Sequence, residues 1–189
     1  MIKTKKELKF YLQEDAKRNG IGNNFFKYYL RRICGSEEAH VYHWLWHFRK
    51  WEYHSNNIGL YHKLFAYYHE IRTKRIGLKL GIRAKINTVG YGLRIMHVAG
   101  GGGCFLNAKK IGNYCGFNSG VLLGNNGSED AAPTIGDHVA FGPGAKAIGS
   151  ITIGKNVFIA ANSVVTKDCE SDSIYGGIPA KLIKRKNND

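Results

Sequence analysis

An apolar residue returns at every sixth position from Phe105 to Val165, and this period limits the possible folds more than any other property of the chain. The series runs Phe105, Ile111, Phe117, Leu123, Glu129, Ile135, Phe141, Ala147, Ile153, Ile159 and Val165, apolar at every member but Glu129. Glycine follows directly at 112, 124, 136, 142 and 154. Two residues ahead of later members stand Cys115, Val121, Val139, Ala145, Ile151, Val157 and Ser163, all small or β-branched. A helix repeats near 3.6 residues and a strand at 2, so neither accounts for the pattern. Period six predicts a short strand, a corner and the next strand, with coil stacked upon coil. Glycine admits the sharp corners.

Consecutive units from Pro133 to Val157, opened by Ile135-Gly136, Phe141-Gly142 and Ile153-Gly154, resemble the hexapeptide-repeat acyltransferases. The likeness covers roughly residues 80–185. The fold it implies is mainly β, a left-handed parallel β-helix with an N-terminal α-helical region. The expected divisions are a helical region at 1–78, the β-helix at 79–175 and a basic tail at 176–189. Val89 and Ile95 are six apart but out of phase with the later series, which predicts a loop or corner adjustment at Gly100–Gly103. Residues 125–132 keep phase by their length, yet Glu129 would be a buried, unpaired acid inside a coil. They are therefore expected to project as a loop, where binding groups collect.

The first 75 residues read as helices. Thr4 and Glu7 have capping-box spacing, opening a helix through Lys17 that ends at Asn19-Gly20. A second run spans Asn24 to Ile33 and stops near Gly35. Ser36 caps a third, with Glu37 and Glu38 in its first turn and Val41, Trp44, Leu45, Phe48 and Trp51 on one face. Leu60, Leu64, Tyr68 and Ile71 mark a fourth. His40, His43, His47 and His54 fall on one stripe of the third helix, but no acid or thiol joins the His43/His47 pair at ligand spacing. An interface stripe is expected there, and no metal.

The chain carries 28 Lys+Arg against 14 Asp+Glu, and 18 of those bases with 7 of the acids precede residue 86. Such a field favours anionic partners. Without zinc-finger spacing or a P-loop, nucleic acid is not expected. Peripheral contact with an anionic membrane is the expected alternative use of the surface. Cys34, Cys104, Cys115 and Cys169 form no C-x-x-C pair, and neither a leader nor an apolar spanning run is expected. Reduced thiols and a cytoplasmic location, at most peripheral at the inner membrane face, are expected.

The segment Gly92-Leu-Arg-Ile-Met-His97 resembles the Gly-[Leu/Ile]-x-Ile-x-His stretch of serine acetyltransferases and related sugar O-acetyltransferases, including those of capsule and surface polysaccharide. The resemblance implies that His97 is the general base, a role suited to an imidazole neutral near pH 7. His138, at a corner, is expected to be a turn residue. With only these two histidines in the repeats, the three-histidine zinc site of γ-type carbonic anhydrases is excluded. By the same resemblance acetyl-CoA is the co-substrate, lying along an edge of the β-helix between subunits of a homotrimer. The matching positions are Gly124, Asn125, Pro143, Gly144, Ala145 and Ala161, with Lys181 and Lys184 of the Gly177-Ile-Pro-Ala-Lys181 ending reaching the CoA phosphates.

The chain departs from serine acetyltransferases at three positions. Ile82 stands where the family has an Asp partner for the base, and Ala131 and Ala132 stand where it has Arg-His before Pro133. Groups that would hold an amino acid's charges are missing, so a sugar or glycan hydroxyl is the expected acceptor, with Glu129 and Asp130 accepting hydrogen bonds from it. The expected function is acetyl-CoA-dependent O-acetyl transfer to a sugar, in surface-polysaccharide synthesis. The alternatives are serine O-acetyltransferase and, from another class, a non-catalytic β-helix scaffold or membrane-binding module.

Overall fold

Thr4 Oγ1 accepts the Glu7 amide at 3.1 Å and the Glu7 carboxylate accepts the Thr4 amide at 2.8 Å, so a capping box opens α1 (Lys5–Arg18). The computed structural model describes all residues except 23, 24, 101, 129, 130 and 187–189. Next come α2 (Phe25–Ile33), α3 (Glu37–Ser55) and α4 (Leu60–Leu80). On α3 the predicted face holds: Val41, Trp44, Leu45 and Phe48 are buried, and Trp51 is half-buried.

On α4 the expected face is turned the other way. Leu60, Leu64, Tyr68 and Ile71 are exposed, while His69, Thr73 and Gly77 point inward. Close approach decides this. A Cβ on Gly77 would collide with the Ile82 carbonyl oxygen and stand 3.2 Å from the Trp44 indole nitrogen, so the smaller side of α4 is the one that fits inward. The helix then continues to Leu80, past the basic run at Arg75, and is capped by left-handed Gly81.

Histidines fill much of the seam between α3 and α4. His47 Nδ1 meets His69 Nδ1 at 2.9 Å, and His54 Nδ1 meets His62 Nδ1 at 3.0 Å. Each pair needs one ring to donate and one to accept, so at least the accepting ring of each pair must be neutral. Burial lowers the pKa of His47 to about 3 and of His69 to about 4, and lowers that of His54. Their folded values lie below the unfolded value near 6.5, so stability is complete above about pH 6.5 and is lost as pH falls towards 4. Melting followed by circular dichroism should therefore show a falling midpoint between pH 7 and pH 4.5. A midpoint that stays constant across that range would contradict neutral pairing. No group of three or more metal-ligating side chains is found among the described residues.

After Gly81 the strands wind as coils. β1 (Ile82–Ala84), β3 (Cys104–Leu106), β6 (Val121–Gly124), β9 (Lys146–Ile148) and β12 (Val164–Val165) form one parallel sheet. β4 (Lys110–Ile111), β7 (Thr134–Ile135) and β10 (Thr152–Ile153) form the second. The third holds β2 (Arg94–Met96), β5 (Gly116–Asn118), β8 (Ala140–Phe141), β11 (Phe158–Ile159) and β13 (Ser173–Gly177). β14 (Ala180–Arg185) closes that sheet antiparallel to β13, so six residues of the expected tail are a strand.

The six-residue series becomes three inward columns, each in register: Ile111, Ile135 and Ile153; Phe117, Phe141 and Ile159; Leu123, Ala147 and Val165. Phe141 to Ile159 is eighteen residues, three sides of six, whereas Phe117 to Phe141 is twenty-four. The surplus of one hexad falls after Gly124, which is why the series keeps phase through residues 125–132; Glu129 itself lies outside the described residues. Phe105 departs from its expected inward place. Leu106, not Phe105, pairs with Leu123, and Phe105 is 39% exposed. Inward Leu106 stands five residues before inward Ile111, against six from Phe117 to Leu123, so the side that follows β3 is one residue short and the inward position moves from Phe105 to Leu106.

The helices and the first coil share one core, in which Val41, Trp44, Leu45 and Phe48 join Ile82, Val89 and Leu93. A buried guanidinium fastens them. Arg49 donates to Asp15 at 2.8 Å, Glu52 at 2.9 Å, the Val89 carbonyl at 2.8 Å and the Gly90 carbonyl at 2.5 Å. Asp15 in turn accepts the amides of Gly92 at 2.7 Å and Leu93 at 3.1 Å. Burial weakens the guanidinium's hold on its proton, but Asp15 and Glu52 outweigh it and leave Arg49 above its usual range.

Candidate active site

His97 occupies the turn between β2 and a single 3₁₀ turn, Val98–Gly100, and its backbone is left-handed at φ 60°. The side chain is exposed, and no hydrogen bond reaches the imidazole among the described residues. On one side the backbone is held by β2, where Met96 is in register with Asn118 of β5. On the other it is held by Glu37. The Glu37 carboxylate accepts the Val98 amide at 3.2 Å on one oxygen and the Ala99 amide at 3.4 Å on the other.

Below the His97 turn the corners between the third and first sheets form a ladder of small residues. Gly120 N donates to Gly102 O, Gly144 N to Ser119 O and Asn162 N to Pro143 O, each at 2.8 Å. Coils stack about 4.8 Å apart, so Pro143-Gly144 lies about 10 Å and Ala161-Asn162 about 14 Å below the His97 turn. Gly102 and Gly144 are among the positions on this edge that require glycine. A Cβ on Gly102 would stand 2.8 Å from Ser119 Cβ, and Gly144, at φ 71°, faces the Asn162 side-chain oxygen directly.

The residues expected to hold the donor divide. Pro143, Gly144 and Ala161 lie on the His97 edge, and Pro143 and Ala161 are exposed. Ala145 is fully buried in the core, so only its backbone is available there. Gly124 ends β6 and Asn125 opens the next corner, where it lines a separate cleft with Phe105 and Arg83. Lys181 is exposed and pairs with Gly176 at the lower end of the His97 edge, while Lys184 is exposed further along β14, opposite Ile174. Glu129 and Asp130, expected to meet the acceptor, lie outside the described residues.

The positions that depart from serine acetyltransferases hold no charge in three dimensions either. Ile82 is 4% exposed within the core, Ala132 is buried and Ala131 half-buried. His138 is an exposed left-handed corner residue stacked on Tyr114 at 5.2 Å. Cys104, Cys115 and Cys169 are buried, and burial pushes each thiol up to about 12. They are not poised as nucleophiles.

Two features of the site were not read from the sequence. Glu37 had a local role there, an acid in the first turn of a helix; its contact with residues sixty positions on has no sequence signal. Asp15 and Arg49, which fix the coil carrying His97, lie in helices whose period identifies apolar faces and not ion pairs.

The stacked coils are a parallel β-solenoid, matching a left-handed β-helix fold, and residues 132–167 match the family described as bacterial transferase hexapeptide (six repeats). Among relatives, the serine acetyltransferase of Synechococcus elongatus is 44% identical over 77 residues, 40% of this chain and 32% of that protein. The chain thus spans about a third of the length of that relative. The serine acetyltransferase of Neisseria gonorrhoeae is similar in structure, with a TM-score of 0.69 at 25% identity over 98% of this chain and 70% of that one. A serine acetyltransferase in complex with CoA has a TM-score of 0.64 at 20% identity, over 95% of this chain and 71% of that one, a likeness of fold.

Proposed function

We propose that this chain is an acetyl-CoA-dependent O-acetyltransferase in which His97 is the general base. One observation carries the reading: an exposed imidazole heads an edge of glycine and alanine corners along which an extended thioester arm could lie. His97 takes the proton from an acceptor hydroxyl as its oxygen attacks the thioester carbonyl carbon. A backbone N–H steadies the resulting oxyanion. Collapse breaks the C–S bond, and the imidazolium returns the proton to the departing CoA thiolate. Direct attack is supported by the buried, protonated state of Cys104, Cys115 and Cys169.

For the acceptor, the relatives favour serine, the reading that the sequence set second. Transfer to a sugar hydroxyl, with its place in surface-polysaccharide synthesis, draws no support from them. It is retained on one observation: Ile82, Ala131 and Ala132 offer no charge to a serine carboxylate or amine, and burying those ions unpaired costs several kcal/mol. The assembly we propose is a homotrimer, supported by the exposed apolar face of α4, which a subunit contact would cover. No helix among the described residues is long and apolar enough to cross a membrane.

Mixing the protein with acetyl-CoA and following CoA release decides the matter. Release dependent on free serine supports the first acceptor, and release dependent on a saccharide panel without serine supports the second. Absence of acceptor-dependent release throughout would overturn the enzymatic reading in favour of a scaffold.

A further inference from the structure

Resting on the assignment of His97 as base, we propose that Glu37 is the positioning residue of that base, and that the helical region governs turnover through it. The argument begins with backbone strain. A left-handed conformation at a residue with a Cβ costs on the order of 1–2 kcal/mol, so His97 at φ 60° is held by its neighbours and not by its own preference. The β2–β5 ladder restrains the chain up to Met96. Beyond His97 the next two amides, Val98 and Ala99, open a single 3₁₀ turn whose own hydrogen bonds cannot satisfy them. Glu37 receives both, one on each carboxylate oxygen. It acts as a cap supplied from another element, and the turn that aims the imidazole is fixed on both sides.

The neighbouring acid cannot substitute. Glu38 is committed locally, accepting the Ser36 hydroxyl at 2.7 Å and Arg31 at 3.4 Å. Ser36 caps α3 by accepting the Ala39 amide, so removal of the Glu37 carboxylate leaves the helix its own cap. The base of Glu37 is firmly set: Ala39 and Val41, just beyond it in α3, are fully buried. A rigid helix thereby transmits its position to the exposed turn. Donor residues on the lower coils, Pro143, Gly144 and Ala161, are restrained by their own ladder and do not depend on this contact.

The test uses Glu37→Ala and Glu37→Gln in the full chain, with His97→Ala as reference. Displacement of a catalytic group by about 1 Å costs up to ~10²-fold, so kcat should fall ~10- to 100-fold in Glu37→Ala, with KM for acetyl-CoA within about twofold of wild type. Glu37→Gln, which keeps one acceptor oxygen, should recover part of the loss. In the His97→Ala background, Glu37→Ala should have no further effect, because two residues acting as a unit are not additive. Independently of activity, amide hydrogen exchange at Val98 and Ala99 should accelerate at least tenfold in Glu37→Ala while Met96 and Asn118 stay protected.

If His97→Ala is inactive but Glu37→Ala turns over normally, the Glu37 proposal falls and the base assignment stands. If His97→Ala is fully active, the base assignment itself falls. Equal losses from Glu37→Ala with and without the imidazole, or unchanged exchange at Val98 and Ala99, would also overturn the positioning role.

Discussion

His97→Ala should lower turnover by ~10²–10⁴-fold, the range usual for loss of a general base, while leaving the fold and CoA binding intact. The fold is insulated because the side chain is exposed and makes no hydrogen bond among the described residues. The left-handed backbone does not require a histidine: Tyr114, Asn156 and Asp172 adopt the same conformation at other corners. Substitution by Ala should therefore change melting by little, and a kinetic loss can be assigned to chemistry. Single-turnover measurements with acetyl-CoA and the responding acceptor separate the acyl-transfer step from release of product. Near-normal turnover in a folded variant would remove His97 from the mechanism.

Arg49→Ala should be the most destabilising single change, by about 3–5 kcal/mol, a large part of what a domain of this size has to lose. The guanidinium is fully buried, and removing it leaves the carboxylates of Asp15 and Glu52 without their cation. It also strips the Val89 and Gly90 carbonyls of their donor. Arg49→Lys keeps the charge but cannot reach four acceptors with a planar fork, so an intermediate loss is expected. Urea unfolding followed by tryptophan fluorescence reads this directly, since Trp44 lies in the shared core. A loss under about 1 kcal/mol would mean that the helices and the first coil are held by apolar contact alone.

The β-helix was legible because its signal is redundant. Nine of the ten apolar members of one series fall on three stacked columns, and an error at any one leaves the others in phase. Phe105 is the exception that explains the limit: the side from Leu106 to Ile111 is one residue short, which shifts phase locally, and no distant repeat can report it. Helix starts were also legible, because Thr4 and Ser36 act within three residues of themselves. The face of α4 was not. Its apolar residues outnumber its inward ones, but inward placement is decided by how near Gly77 lets it come to the Ile82 carbonyl and to Trp44, a property of the two helices and the first coil together. The histidine stripe of α3 was visible as a stripe, while its partners His62 and His69 belong to α4 and the pairing is tertiary.

In the site, the base and the small corners could be found because each is a local motif. What holds the coil of the base could not, since Glu37, Asp15 and Arg49 bond to Val98, Leu93 and Val89 of that coil across gaps of 40 to 78 residues. The donor set shows the same division. Gly144 and Ala161 were grouped with Gly124 by resemblance alone, and only the stacking of coils separates the His97 edge from the corner after β6.

A crystal structure of the protein with CoA bound tests the central claim most directly. The account predicts the CoA sulfur within hydrogen-bonding reach of a His97 imidazole, the pantetheine arm running down the edge past Gly144 and Ala161, and the phosphates towards Lys181. CoA found with its sulfur remote from every His97, or lying along another edge of the β-helix, would contradict it.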